Sequence, residues 1–210
     1  MKSRKRSLIQ WLALSGVIGM AFYFLHVVIG KMNYPGYSSL AQAVSDLTAA
    51  DSPSREIASA LSAIYGLFTV TGVTLLCVFF QNKVNKVFRA GIYFFALMQW
   101  VSAVGYTLFS LSTSGYAGAF QDVMHMVVTA AVVFLSIASM ILIAVGAIKS
   151  GEYKVFGIFT VAVLVIMAVG SIGTGAVPRE YLGAAERVSV YSVVVYSGVL
   201  SVFAFGFTKN

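Results

Sequence analysis

Cysteine occurs once in the 210 residues, histidine twice, proline three times, and acidic residues only seven times. A single thiol, Cys77, can form no internal disulfide and no cysteine-based metal site, so in its apolar run it reads as a small hydrophobe. Charged residues make up 10% of the chain, too few to cover a soluble globule of this size. Repeats, low-complexity tracts and linkers are missing too, which leaves one domain over residues 1–210. What is abundant is apolar: 59% of residues are hydrophobic, and the mean hydropathy is +0.89. The partner implied by this composition is a lipid bilayer. A net charge of +7 does not indicate nucleic acid, because the basic residues fall in short clusters between apolar spans.

A hydrocarbon core about 30 Å thick is crossed by roughly 20 apolar residues in a helix. Six stretches qualify: 8–30, 57–80, 90–111, 123–148, 155–177 and 188–207. Helix is the expected form, since backbone amides in lipid must be satisfied within the segment and the runs are far longer than a barrel strand. The first span is long for a signal-peptide core and has no small-x-small cleavage site, so it reads as a retained helix. The expected fold is therefore all-α, a polytopic bundle of six transmembrane helices.

Lys and Arg orient it. With a cytoplasmic N-terminus, Lys2, Arg4, Lys5, Arg6, Lys83, Lys86, Arg89, Lys149, Lys154 and Lys209 fall inside, against Lys31, Arg55, Arg179 and Arg187 outside. This bias places both termini in the cytoplasm. Acids divide the opposite way, with Asp46, Asp51, Glu56, Asp122, Glu180 and Glu186 outside and Glu152 inside. His26 lies about one turn before the outer end of the first span, and His125 about one turn into the fourth. Nearly every group able to do acid–base or metal chemistry thus collects on one face.

Most connections are short, which favours antiparallel neighbours. The exception is 31–55, where Leu40, Ala43, Val44 and Leu47 recur at helical spacing and Ser39 with Gln42 forms a capping-box pattern. A short interfacial helix is expected there, anchored by Tyr34 and Tyr37 at headgroup level. Its polar stripe of Gln42, Ser45 and Asp46 faces water or folds over the bundle's mouth. In the fifth span, Gly170, Gly173 and Gly175 with Ser171 make a smooth stripe for helix packing, within the chain or between copies. Ser189, Tyr191, Ser192 and Tyr196 offer hydrogen bonds across helices.

Asp122 and His125, at i and i+3, emerge on one helical face, with Thr129 a turn deeper. Glu186 and Arg187 open the last helix, and Arg55 and Glu56 the second. Acids at helix N-termini are ordinary, because they complement the dipole. Histidines inside spans are not: an ionisable residue in lipid faces a partner or a cavity. If the first and fourth helices are neighbours, His26, Asp122 and His125, with Glu56 or Glu186, form a mixed nitrogen and oxygen set suited to zinc or a similar divalent ion. A haem held by His26 and His125 is a further option, requiring both rings to face one cavity.

The stretches "NYPGYSSLAQAVSDLTAADSPSR", "GYTLFSLSTSGYAGAFQDVMH", "GTGAVPREYLG" and "ERVSVYS", in that order, resemble the bacterial and archaeal six-span membrane family DUF998, a domain of unknown function. The resemblance covers nearly the whole chain and implies the six-span fold with no established activity. Its recurrent polar positions match Ser45, Asp46, Asp122, His125, Glu186 and Arg187. The segment "VSDLTA" is also similar to part of the Frag1/DRAM-type membrane proteins of eukaryotes, some of which act in lipid-anchor remodelling.

Three functions fit these residues. In a metal-dependent, lipid-directed hydrolase, Asp122, His125 and Glu186 are the catalytic candidates, with Arg187 steadying an anionic headgroup. In a transporter or sensor, Ser45, Asp46, Glu56 and Arg187 with the histidines bind an ion or small solute. In a structural membrane protein, the cluster ties helix ends together.

Overall fold

The computed structural model describes residues 5–208, so Lys2, Arg4 and Lys209 of the inner basic set lie outside the described residues. Among those described, seven α-helices and two short 3-10 turns appear and no strand. They are α1 (Leu8–Ala13), α2 (Ser15–Met32), α3 (Arg55–Phe79), α4 (Lys86–Leu108), α5 (Phe120–Ser150), α6 (Lys154–Ala176) and α7 (Leu182–Gly206), with 3-10 turns at Val44–Thr48 and Arg179–Tyr181. Six helical stretches are long and apolar enough to cross a membrane, α1 and α2 together forming the first, Leu8–Met32. The apolar runs therefore mark the helices well. Polar caps extend them: Asn85 accepts a hydrogen bond from the Phe88 amide at 2.9 Å and starts α4 at Lys86, four residues before its expected start.

Sequential helices pack as neighbours, α4 against α5 most extensively, then α2 on α3 and α6 on α7, while α2 and α7 close the bundle. Lipid supplies little hydrophobic drive between helices, so close backbone approach must hold them. Gly146 of α5 meets the backbone of Phe88, and Gly170 of α6 meets that of Ser189, where any Cβ would collide. Ser171 and Ser189 share a hydrogen bond at 2.7 Å, and Thr160 and Tyr196 one at 3.2 Å. The glycine stripe thus serves α6–α7 packing at Gly170 and Gly173, whereas Gly175 faces open space.

Both described chain ends meet at one end of the bundle: the Gln10 side-chain amide donates to the carbonyls of Ala204, Phe205 and Phe207 at 3.1–3.2 Å. An aromatic core there includes Phe79, Phe80, Phe88 and Phe207, with Phe156 and Phe203 stacked at 4.0 Å between ring centres. At the opposite end a second core forms from Tyr23, Val27, Tyr37, Val44, Leu47, Ala58 and Val194. The expected helix through Leu40–Leu47 is corrected here. Ser38, not Ser39, pairs with Gln42, its amide donating to the Gln42 Oε1 at 2.8 Å. Ala43 is then extended (φ −67°, ψ 157°), and only the 3-10 turn Val44–Thr48 follows, burying Val44 and Leu47.

Candidate functional site

The connection from α4 to α5 wraps around one carboxylate. Gly115, Tyr116 and Gly118 all have positive φ (84°, 66° and 85°), a run that curls the chain and turns its amides inward. Asp122 occupies the resulting concavity. Its Oδ1 accepts from the Ser112 amide at 2.7 Å, and its Oδ2 from the Ser112 hydroxyl at 2.8 Å and the Ala117 and Ala119 amides at 3.1 and 3.2 Å. The side chain is fully buried. His125, on the same face, points its Nδ1 at the Phe109 carbonyl at 2.8 Å. A carbonyl only accepts, so Nδ1 carries the proton there. Its ring packs on Tyr106 at 4.9 Å, and Tyr106 donates to the Thr129 hydroxyl at 3.2 Å.

The loop between α2 and α3 is latched to α7 by two adjacent charges. Glu186 Oε2 accepts from the Val44 amide at 2.6 Å. Arg187 Nη1 donates to the carbonyls of Ser39, Gln42 and Gly183 at 2.7–2.8 Å, and its Nη2 to the Tyr37 hydroxyl at 2.6 Å. Tyr37 in turn donates to the Ala43 carbonyl at 2.6 Å, and burial pushes its phenol up to about 12, so it remains a donor. Gly183 lets the loop touch α7: a Cβ there would strike the Gln42 carbonyl, and the Ala184 amide donates to Leu40 O at 3.0 Å. The stripe containing Asp46 therefore folds over the bundle's mouth.

The α2–α3 and α4–α5 loops are also knitted to each other. Asp46 accepts from the Ala43 amide at 3.0 Å and from the Gly115 amide at 2.9 Å, while burial raises its carboxyl above the ordinary aspartate value. Asp51 accepts from the amide and hydroxyl of Ser114, Tyr34 donates to the same hydroxyl at 3.2 Å, and the Ala50 amide donates to Leu111 O at 2.9 Å. The hydroxyls of Tyr34 and Tyr37, expected at headgroup level, make hydrogen bonds inside the protein.

Loops 33–54 and 109–119 together form a cap. Asp46, Asp122, His125, Glu186 and Arg187 all belong to it; Ser45 contributes its carbonyl to the Thr48 hydroxyl at 3.1 Å. Glu56 does not: it is exposed in an open groove with Arg55 and Asn33. The expected metal set is not gathered either. Among the described residues, no three His, Cys, Asp or Glu side chains come together as an ion would require, and Asp122 accepts four hydrogen bonds from the loop, three of them on Oδ2. The two imidazoles rest on different tyrosines, Tyr23 and Tyr106, so a shared haem gains no support from ring contact. Sequence spacing did not assign Asp51, Ser112, Ser114 and Tyr37 to this cluster, because their partners lie far along the chain, as Asp51 with Ser114 and Tyr37 with Arg187.

A family model described as "Protein of unknown function (DUF998)" matches residues 17–203. The chain belongs to that family. No curated protein and no solved structure matches it. In this DUF998 protein, the match spans the capped end and all six long helices.

Beneath the cap, His26 is the group without a partner. It is 4% exposed, and neither ring nitrogen has a well-formed hydrogen bond among the described residues, although the Tyr23 backbone one turn back lies near the ring. One aromatic ring rests on it: Tyr23 lies 5.6 Å away between ring centres and itself meets Tyr65 at 5.0 Å and Tyr191 at 6.2 Å.

Proposed function

We propose that this DUF998 protein is a binding protein of the cell membrane, with both termini cytoplasmic, that holds a small uncharged solute or lipid head beneath its outer cap. The single observation that carries this reading is His26. A buried polar atom left unpaired costs about 1–3 kcal/mol, and an imidazole with both nitrogens unpaired is stabilised by a ligand bearing a hydrogen-bonding oxygen. Tyrosine rings on its flank suit the apolar body of such a ligand. The Lys and Arg bias supports the orientation. A hydrolase built on Asp122 has less support, since a base must lie within reach of its substrate, and Asp122 is fully buried and held by four loop hydrogen bonds.

Native mass spectrometry of the protein extracted with its own lipids, beside His26→Leu, tests the reading. Wild type should retain a species absent from the bulk lipid, and the variant should lose it while unfolding at a higher temperature, because leucine leaves no unpaired nitrogen. The same retained species in both proteins, or none in wild type, would contradict it.

A further inference from the structure

The end of the bundle that carries both described chain ends holds a second feature, independent of the cap. There the turns around 80–85 and 149–153 face each other across an open cleft of about 540 Å3, lined by Lys83, Asn85, Lys149, Ser150, Glu152 and Tyr153 among others. Two cations against one carboxylate make its wall net positive. The walls are held apart by a fixed bond, the Asn85 amide donating to Gly146 O at 2.6 Å. The cleft is therefore preformed.

Its cations lack anions. Lys83 rests its Nζ 3.6 Å from the centre of the Phe79 ring, and burial pushes this ammonium below the ordinary lysine range. Among the described residues, neither Lys83 nor Lys149 is held by a carboxylate. An ammonium partly stripped of water, with only a ring face for company, is stabilised by an incoming negative charge. Tyr153, half-buried beside Glu152, adds a hydroxyl to the same wall. Directly after it α6 begins with no side-chain cap, so first-turn amides and the positive end of the helix dipole add to the field.

We propose that this cleft binds a phosphodiester anion, the headgroup of an acidic phospholipid, with Lys83 and Lys149 as its counter-charges. The cleft lies where α3 and α5 end and α4 and α6 begin, at the level where helix termini meet headgroups. Basic pockets between helices on this side of a membrane select acidic lipids in this way.

The test uses the full chain in nanodiscs of phosphatidylcholine containing a minor fraction of phosphatidylglycerol, with retained lipid read by native mass spectrometry. Wild type should retain phosphatidylglycerol preferentially, and Lys83→Gln with Lys149→Gln should reduce that preference on the order of tenfold. Lys86→Gln, at the same end but outside the cleft lining, should leave it unchanged. Inorganic phosphate added to pure phosphatidylcholine discs separates the sources: binding that the double variant abolishes, without lipid preference, keeps the site and makes its ligand a soluble phosphate. Equal retention of the two lipids by wild type with no phosphate bound, or an equal loss from Lys86→Gln, would overturn the proposal. Matched thermal unfolding of the variants checks that the fold is intact.

Discussion

Arg187 illustrates how one side chain can be spent entirely on architecture. Its guanidinium reaches three carbonyls and one hydroxyl, a fan that a planar, five-donor group can make and a single ammonium cannot. Charge alone is therefore not what the position needs. Arg187→Lys should destabilise the cap nearly as much as Arg187→Met, by about 2 kcal/mol from lost hydrogen bonds to a charged donor. Limited proteolysis within 38–45 and thermal unfolding would both register the change. Asp122 is the acidic counterpart, held by a loop that curls around it. In sequence, both residues look like components of a reactive site, because the residue types are the same. Only the partners differ, and those partners are backbone groups with no signature of their own.

The helices were legible because each is an apolar run bounded by polar residues, and the bilayer imposes their length. The cap was not. Leu40, Ala43, Val44 and Leu47 recur at helical spacing, yet Ser38 pairs with Gln42 in a turn and only the 3-10 turn Val44–Thr48 follows. The loop's course depends on a contact with α7 that local pattern does not carry: Gly183 clears the way for the Gln42 carbonyl. Gly183→Ala should force the loop off the helix and cost about 1–3 kcal/mol as an overpacked contact. Gly175→Ala, with nothing within 4 Å of the added carbon, should be neutral or slightly stabilising through helix propensity. Thermal unfolding of the two variants side by side separates close approach from mere glycine content in α6 and α7. Equal shifts would remove the role assigned to Gly183.

For the whole molecule, the asymmetry of acids and bases foretold a polar face without revealing its organisation. Asp46, Asp51, Asp122, Glu186 and Arg187 join loops 33–54 and 109–119 to each other and to α7. His26 lies under that cover, apart from the group with which spacing had placed it. The division of labour is physical: residues that find backbone partners hold the cap, and the proposed ligand reading rests on the one histidine that takes no part in it. A cap held by side chains should protect the amides it engages. Hydrogen exchange at Val44, Ser112, Gly115, Ala117 and Ala119 measures this most directly, in wild type and in Asp122→Asn. The account predicts slow exchange at all five in wild type, with Ser112, Ala117 and Ala119 released in the variant while the long helices stay protected. Exchange in wild type as fast as in an unstructured loop would contradict it.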